Sequence, residues 1–367
     1  MNIVVLAGGT STERDVSIMT SMMVCGSLRR NGHHANMIDV FTGSGKYKHS
    51  SEFFQEDNDL KKLADSMKEQ SAGIAKLVEE RERIGGGFFG PGVLELCQAA
   101  DIVYIGLHGA NGEDGKIQAA FDLMGIKYTG TGYLSSAISM SKELTKKVLV
   151  SEGVPMPKGI SLKKGHKIEY VPYPCVVKPC CGGSSVGMSI VKNETEYKKA
   201  LDLAFKYENE VVVEEYIKGR EFSVGVIGGK SLPIIEIIPK SGVYDYETKY
   251  QPGMATDVCP APLSDEITDK MQTYAIDVYR ELKLGSYARI DFLLDADDNM
   301  YCLEANTLPG MTATSLLPQE AKVLGIEYGV LCEQVIAQAL AAYNGESEEL
   351  PKPGTNSHYG KADLKKL

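Results

Sequence analysis

Four side chains in the C-terminal third of the sequence combine the donor types that phosphoryl chemistry needs. Arg289 and Asp291 lie two residues apart in one apolar run, and Glu304 and Asn306 end a second run. The polar segment 295–299 between the runs predicts a β-hairpin that brings these side chains together. Carboxylate and amide oxygens suit Mg²⁺, which completes its coordination with waters and phosphate oxygens. The hairpin therefore predicts a metal site, and ordinary surface charges on a hairpin are the alternative.

A second candidate site combines a lysine with a glycine-rich loop. Lys178 ends an apolar run immediately before the segment 182–187, whose small residues expose backbone N–H groups that can cradle phosphate oxygens. A plain β-turn is the alternative for this loop. Glu214 and Glu215 end another apolar run, and Glu221 follows closely. Carboxylates at a strand exit can bind an adenine amino group and ribose hydroxyls, or they can be surface charges.

Two further polar groups follow the first strand and a later strand. Glu13 comes just after Gly8 and Gly9, where it can bind a substrate amine or cap the next helix. His108 begins a glycine-rich turn whose acids, Glu113 and Asp114, can cap the helix that starts at Lys116. A lone histidine is more often structural than catalytic. The local sequence leaves these alternatives open.

The positions of these groups follow from an alternation of strands and helices. Strands predicted over 2–6 and 35–40 flank a helix predicted over 16–30, which is the start of a doubly wound parallel sheet. Segment 43–92 is polar and is predicted to be a surface insertion with one or two helices. Segment 240–262 lacks periodicity, and loops of that length are usually functional. The charged segment beyond Asn344 is predicted to be a disordered tail.

Composition narrows the function classes. The chain has 367 residues, enough for two or three domains, and 43% of them are hydrophobic. A net charge of −10 without a long basic run argues against nucleic acid as a partner. None of the eight cysteines forms a C-x-x-C pair, so no zinc site is expected. No segment has the apolar length to span a membrane, and no signal peptide is apparent, so we expect a cytoplasmic enzyme.

Together these segments resemble the ATP-grasp superfamily and, within it, the D-alanine–D-alanine ligase family. The resemblance runs from Met1 to about Tyr343. It is carried by Ala7 to Ser17, by the turn at 108–115, by Lys178 with 183–188, by 244–250, by 288–291 and by 304–312. It implies an α/β ATP-grasp fold of three α/β domains, with an N-terminal doubly wound parallel-sheet domain and ATP between the central and C-terminal domains. The implied ranges are 1–131 with the insertion 43–92, 132–215, 216–345 with the mobile loop 240–262, and a tail at 346–367.

The resemblance also implies a role for each candidate residue. The implied phosphate ligands are Lys142, Lys178 and Lys249, and the implied adenine and ribose contacts are Glu214, Glu215, Ile217 and Glu221. Two Mg²⁺ (or Mn²⁺) ions would be held by Asp291, Glu304 and Asn306. Glu13 would bind the ammonium of the first D-alanine, with Ser184 and Tyr250 completing a hydrogen-bonded triad. Arg289 and the Gly310 N–H would stabilise an oxyanion, and the two D-alanine pockets would use His108, Ser315 and Leu316.

The implied reaction joins two D-alanines at the expense of ATP, through a D-alanyl phosphate. Its partners would be the small molecules ATP and D-alanine, without nucleic acid or membrane, in a homodimer. One alternative is another carboxylate–amine ligase that acts on other substrates. A ligase that uses D-serine or D-lactate is also possible, but Tyr250 and Leu316 argue against those two. A non-catalytic ATP-binding regulator is a second alternative. Such a protein would be expected to lack a metal ligand or a phosphate lysine, whereas all are present.

Overall fold

The structure is a computed structural model that describes residues 1–166, 172–183, 186–240, 254–347 and 349–359. Its described strands form three sheets, one parallel and two antiparallel. A cavity lies between the two antiparallel sheets.

The parallel sheet begins the chain, as the sequence predicted. Strands β1 (Asn2–Ala7), β2 (His34–Asp39) and β3 (Ile102–Ile105) pair in the order β2-β1-β3. Helix α1 (Arg14–Arg30) connects the first two strands. Because β1 and β3 are apolar along nearly their whole length, they are buried in the centre of this unit.

The insertion is more ordered and more deeply packed than a surface insertion. It contains α2 (Ser50–Gln55), α3 (Leu60–Glu69), a 3₁₀ turn at Gln70–Gly73 and α4 (Ile74–Arg83), and α5 (Val93–Ala99) follows it. Phe53 is fully buried in the core of the parallel-sheet unit. The Arg14 guanidinium donates to the Met67 carbonyl over 3.2 Å and to the Ser71 hydroxyl over 3.2 Å. The insertion therefore packs directly against the beginning of α1.

The first antiparallel sheet has the order β4-β7-β5-β6. Its strands are β4 (Gly159–Lys163), β5 (Cys175–Pro179), β6 (Ser189–Val191) and β7 (Glu210–Glu215). Helix α9 (Glu194–Ala204) packs on one face through Tyr197, Ala200 and Leu201. Three helices lie between β3 and β4 in the chain: α6 (Lys116–Met124), α7 (Tyr133–Met140) and α8 (Lys142–Ser151).

The second antiparallel sheet carries the acidic hairpin and has the order β11-β10-β8-β12-β13, with β9 pairing to β8. Its strands are β8 (Gly219–Ile227), β9 (Lys230–Ser231), β10 (Ile235–Pro239), β11 (Ala255–Val258), β12 (Tyr287–Asp295) and β13 (Met300–Asn306). The predicted hairpin is confirmed by antiparallel pairing of β12 with β13. Segment 240–262 was predicted to lack regular structure, and this is wrong for β11, which pairs with β10. Residues 241–253 of that segment lie outside the described residues.

Three helices complete the fold: α10 (Asp265–Glu281), α11 (Leu316–Val323) and α12 (Tyr328–Asn344). No single helix of the described residues is long and apolar enough to cross a membrane. One pair, α11 with α12, reaches that length and composition only together, and it is bent by 106°.

The prediction of a disordered tail is wrong for residues 349–359. The Ser231 N–H donates to the Ser357 carbonyl over 2.7 Å, and the Tyr359 N–H donates to the Ser231 carbonyl over 2.9 Å. Tyr359 is buried, which explains the order of an otherwise polar segment, because one aromatic ring buries a large apolar area.

Candidate active site

A cavity with a volume of about 400 Å³ lies between the two antiparallel sheets. Its walls carry many of the residues selected from the sequence: Lys142, Lys178, Glu214, Glu215, Ile217, Glu221, Asp291 and Glu304. Apolar side chains such as Val176, Met188 and Leu303 line it between these polar groups. A mostly apolar cleft with a few convergent charges is typical of a nucleotide or cofactor site.

The acidic hairpin places its side chains as the sequence predicted. Asp291 and Glu304 are directly opposite each other on β12 and β13, and Arg289 is opposite Asn306. Asp291 is buried and accepts two hydrogen bonds from Arg289, from Nε over 2.9 Å and from Nη2 over 2.7 Å. It also accepts from the Ser223 hydroxyl over 2.7 Å and from the Asn306 amide over 3.1 Å. The carboxylate is thus fixed at the cavity wall, and Ser223 is a contact that sequence reasoning missed.

The donor set of this hairpin fits a magnesium ion that also binds phosphate. Among the described residues, no three His, Cys, Asp or Glu side chains form a ready-made metal cluster. Asp291 and Glu304 supply two carboxylates, and Asn306 adds an amide oxygen. Mg²⁺ uses one or two carboxylates and takes its remaining ligands from water and substrate phosphates.

Glu214, an implied adenine contact, lines the cavity and also forms two buried ion pairs. Its carboxylate is buried between the ammonium groups of Lys178, which lies 2.6 Å from Oε2, and Lys146. Burial alone would raise the pKa of Glu214, but the two lysines lower it below its usual range. Burial alone would likewise lower the pKa of Lys178, and the attraction of Glu214 raises it. Both groups are therefore charged, and Glu214 holds Lys178 in place on the cavity wall.

Sequence reasoning missed Lys146 in this triad. Lys146 lies four residues after Lys142 on α8, so both project from one face of the helix. Nζ of Lys142 donates to the Gly182 carbonyl over 2.5 Å. Burial lowers the pKa of Lys142, and the positive charge of Lys178 adds to this effect against the attraction of Glu304. The i, i+4 spacing was the available signal for Lys146.

The residues at the end of β7 line the cavity. The side chain of Glu215 accepts the Lys158 N–H over 2.8 Å, and the Glu215 N–H donates to the Lys158 carbonyl over the same distance. Ile217 and Glu221 also line the cavity, as the resemblance implies. Arg220 and Glu236, which the sequence analysis did not select, form a bidentate pair at the cavity wall with both bonds at 2.7 Å.

Glu13 lies where the parallel-sheet unit meets the glycine loop. It immediately precedes α1 and is largely buried, but its side chain makes no capping bond to that helix. A Cβ built on Gly109 would lie 2.7 Å from Glu13 Oε2, and one built on Gly183 would lie 3.6 Å from it. The carboxylate therefore points at two glycine backbones, and this geometry argues against the helix-cap alternative.

His108 connects the N-terminal unit to the segment after the acidic hairpin. Its Nδ1 lies 3.0 Å from the Leu308 carbonyl, and its Nε2 lies 3.1 Å from the Thr20 hydroxyl. Because a carbonyl only accepts, Nδ1 carries the proton. Burial lowers the pKa of His108 below its usual value, against the attraction of Glu13. A neutral His108 thus holds the backbone two residues before Gly310.

Glu113 is a buried acid that the sequence analysis interpreted only as a possible helix cap. Asp114 makes the helix contact, accepting the Lys116 N–H over 3.3 Å, whereas Glu113 turns back to accept the Gly109 N–H over 3.0 Å. Burial and repulsion from Glu13 raise the pKa of Glu113 to about 8. Arg289 and Glu304 are also close enough to affect it. Glu113 therefore carries a proton at neutral pH beside the carboxylate of Glu13.

The segment after β13 leads into α11 past Gly310. The Thr312 N–H donates to the Ser315 hydroxyl over 3.0 Å, and a Cβ on Gly310 would lie 2.9 Å from that hydroxyl. Ser315 thus lies against the Gly310 backbone, at the N-terminal end of α11. Leu316 is buried against Ile235 and Ile237 of β10.

Three of the selected residues cannot be placed. Ser184, Lys249 and Tyr250 lie outside the described residues. Their implied roles in the triad and as a phosphate ligand stay predictions.

A further buried acid lies behind Arg289. Glu320 of α11 is fully buried, and its Oε2 accepts the Gly225 N–H over 2.6 Å. Gly225 is directly opposite Arg289 in the pairing of β8 with β12. Burial raises the pKa of Glu320 well above its usual value. No sequence pattern marked this residue, because its burial depends on the packing of α11 on β8.

Two antiparallel sheets that close on a cavity, with lysines on one side and an acidic hairpin on the other, define an ATP-grasp ligase. Comparisons with known proteins specify the family. The family model described as D-ala D-ala ligase N-terminus matches residues 2–131, and the one described as D-ala D-ala ligase C-terminus matches residues 151–337. The chain therefore belongs to the D-alanine–D-alanine ligase family.

Individual relatives agree with this assignment. The D-alanine–D-alanine ligase of Pediococcus pentosaceus is 43% identical over 345 residues, covering 92% of this chain and 97% of the relative. The crystal structure of the Bacillus anthracis D-alanine–D-alanine ligase complexed with ATP superposes with a TM-score of 0.71 at 30% identity, covering 94% of this chain and 99% of that one. The VanG D-Ala:D-Ser ligase of Enterococcus faecalis superposes with a TM-score of 0.71 at 26% identity, covering 92% of this chain and all of that one (100%).

Proposed function

We propose that this site joins two D-alanines into D-alanyl-D-alanine with ATP as the phosphoryl donor, for peptidoglycan precursor synthesis. One observation carries the proposal: the Glu13 carboxylate points at Gly183, which lies next to the cavity lysines. Glu13 also affects the pKa of the buried Glu113, as do Arg289 and Glu304, so these groups lie near one another. An ammonium-binding carboxylate thereby lies beside groups suited to a triphosphate and a metal. That arrangement fits an amino acid whose carboxylate is phosphorylated.

In the first step, ATP lies between the two antiparallel sheets. Lys142 and Lys178 bind its phosphates, while Glu214, Glu215, Ile217 and Glu221 contact the adenosine. Glu214 positions Lys178 through their 2.6 Å ion pair. Glu13 binds the ammonium of the first D-alanine, whose carboxylate oxygen attacks the γ-phosphorus, and ADP leaves. The products are ADP and a D-alanyl phosphate.

Metal ions are part of this proposal. Asp291, Glu304 and Asn306 would hold two Mg²⁺ or Mn²⁺, which neutralise charge on the transferring phosphoryl group when bound.

In the second step, the amine of the second D-alanine attacks the acyl carbonyl and phosphate leaves. Arg289 and the Gly310 N–H stabilise the oxyanion that forms, an effect typically worth about 3–4 kcal/mol per donor. Asp291 fixes the Arg289 guanidinium through two hydrogen bonds, and His108 fixes the backbone before Gly310. Ser315 and Leu316 form the pocket of the second D-alanine. Ser184, Lys249 and Tyr250 complete the closed site in this proposal.

The proposal includes the organisation of the chain. Residues 1–131, 132–215 and 216–345 form three domains, and the protein is a cytoplasmic homodimer. Light scattering of the purified enzyme tests the dimer.

A ligase that prefers D-serine as the second substrate is the second candidate, because the VanG D-Ala:D-Ser ligase has the same fold over nearly the whole chain. ATP-dependent phosphate release with D-alanine, D-serine, D-lactate and L-alanine distinguishes the two. We expect D-alanine alone to give the highest rate and D-alanyl-D-alanine to be the product. A higher rate with D-alanine plus D-serine, and a mixed dipeptide as product, would replace the first proposal by the second.

A variant of Glu13 tests the substrate orientation. Glu13→Gln should raise KM for D-alanine far more than KM for ATP, because only the amino acid loses its charged partner. An equal rise in both values would contradict the assignment of Glu13 to the ammonium.

A further inference from the structure

Two adjacent cysteines lie at the edge of the cavity. Cys180 and Cys181 follow β5 and precede Gly182 and Gly183, which line the cavity wall. Cys180 is buried and Cys181 is exposed. Neither thiol has a role in the proposed ligation.

The two thiols influence each other's pKa. Cys180 and Cys181 are adjacent in the sequence, and the Ser141 hydroxyl lies 3.6 Å from the Cys180 sulfur. Interaction with the neighbouring Cys181 thiol outweighs burial and lowers the pKa of Cys180 to about 6. The same interaction, together with burial, raises the pKa of Cys181. At neutral pH the pair therefore holds a nucleophilic sulfur next to an accessible one.

The other six cysteines differ from this pair in exposure and in the pKa of their thiols. All eight lie within the described ranges, and Cys181 alone among them is exposed. Burial raises the pKa of the remaining six, and it raises that of the partly buried Cys259 to about 12. Reactivity toward thiophilic reagents should thus concentrate at the adjacent pair.

The cysteine turn shares hydrogen bonds with the cavity lysine. The Cys180 carbonyl accepts the Lys142 N–H over 3.0 Å, and Nζ of Lys142 donates to the Gly182 carbonyl over 2.5 Å. The Cys181 N–H donates to Glu208 Oε2 over 2.8 Å. The turn therefore contacts both the backbone N–H and the ammonium group of Lys142. A ligand that draws the two sulfurs together would change this turn and with it the position of Lys142.

We propose that Cys180 and Cys181 form a vicinal-dithiol site for thiophiles that bind two sulfurs at once, such as trivalent arsenicals, and that its occupation weakens ATP binding. With an aryl arsenoxide, the exposed Cys181 sulfur forms the first As–S bond and the neighbouring Cys180 sulfur forms the second. The arsenic oxygen leaves as water with two protons, one from the Cys181 thiol and one from solvent when the Cys180 sulfur is already ionised. Arsenic stays trivalent, so the step needs no oxidant.

Phenylarsine oxide is the probe, and intact mass is the primary measurement. Wild type and Cys259→Ser should each gain one phenylarsenic group that 2,3-dimercaptopropanol removes and an equal concentration of 2-mercaptoethanol does not. Cys181→Ser and Cys180→Ala should not retain the group in 2-mercaptoethanol. Saturating ATP should slow uptake in wild type, and the adduct should show about a tenfold rise in KM for ATP.

Two results would overturn the inference. Retention of the arsenical by Cys181→Ser in monothiol would place the dithiol elsewhere. An unchanged KM for ATP in the wild-type adduct would disconnect the pair from the nucleotide site. Only the ATP measurements depend on the proposed function, and the mass measurement stands without it, so failure of one is distinguishable from failure of the other.

Discussion

Nζ of Lys178 lies 2.6 Å from Oε2 of Glu214, and both side chains are largely buried at the cavity wall. The other oxygen of the same carboxylate bonds Lys146. One acid therefore pairs with two lysines and balances one of their two positive charges before any nucleotide enters. The cavity can present cations to a triphosphate without leaving both of them unpaired in its absence.

Glu214→Gln should destabilise the fold as well as weaken ATP binding. The substitution leaves two buried ammonium groups without a charged partner, and breaking a buried ion pair in this way costs about 3–5 kcal/mol. Urea unfolding measures this loss. The control is Glu194→Gln, which removes the exposed partner of Lys198 and should leave stability almost unchanged, because an exposed ion pair contributes little. Equal losses for the two variants would contradict the organising role of Glu214.

Glu304→Gln should reduce turnover below about a tenth of wild type while leaving the unfolding curve unchanged. Glu304 is opposite Asp291 in the hairpin, and loss of its charge removes a ligand proposed for both metal ions. Asp298→Asn, in the exposed turn of the same hairpin, serves as the control and should keep full activity. The metal assignment fails if the Glu304 variant keeps more than a tenth of the rate at saturating Mg²⁺.

Glu113→Gln should remove part of the pH dependence of stability. The folded-state pKa of Glu113 is raised to about 8, so the folded protein favours its protonated form. That contribution is complete below the unfolded-state pKa of about 4.5 and is lost as the pH rises through about 8. The free energy of unfolding of wild type should fall more steeply between about pH 5.5 and 8.5 than that of the variant, whose amide still accepts the Gly109 N–H. Parallel pH profiles would rule out the buried neutral acid.

Glu320→Leu should reduce stability, and Glu320→Gln should largely preserve it. The glutamine keeps an acceptor for the Gly225 N–H, whereas the leucine leaves a buried donor unpaired at a cost of about 1–3 kcal/mol. Because Gly225 is paired with the strand segment that carries Arg289, the leucine variant should also lose kcat. Thermal unfolding and initial rates test both effects. Similar values for both variants would show that this hydrogen bond does not matter.

The sequence predicted those parts of the site that depend on local pattern. The hairpin follows from two apolar runs around a polar turn, so the pairing of Asp291 with Glu304 was predictable without tertiary information. Glu214 was placed correctly at the end of a strand, but its partner Lys146 comes from a different element. Spacing along one strand carries no information about the neighbour across a cavity.

The environment of the buried acids and the order of the C-terminal tail were not predicted from the sequence, for a related reason. The sequence pattern around Glu113 indicated only a helix cap, because the charges that affect its pKa, Glu13 and Arg289, come from distant segments. Tyr359 is a single aromatic in a polar run, and composition alone favours disorder there. The backbone bonds to Ser231 that order this segment depend on the β9 edge being available.

The packing of the insertion against α1 has a consequence for comparisons among relatives. Met67 and Ser71 hold the guanidinium of Arg14, and Arg14 is the residue directly after Glu13. In a homologue with a shorter segment at this place, the same arginine would keep only its ion pair with Asp39 and its bond to the Gly9 carbonyl. Chimeras that exchange residues 43–92 between homologues would therefore alter the affinity for the amino acid, although no residue of the exchanged segment lines the cavity between the two antiparallel sheets in the described part of the chain.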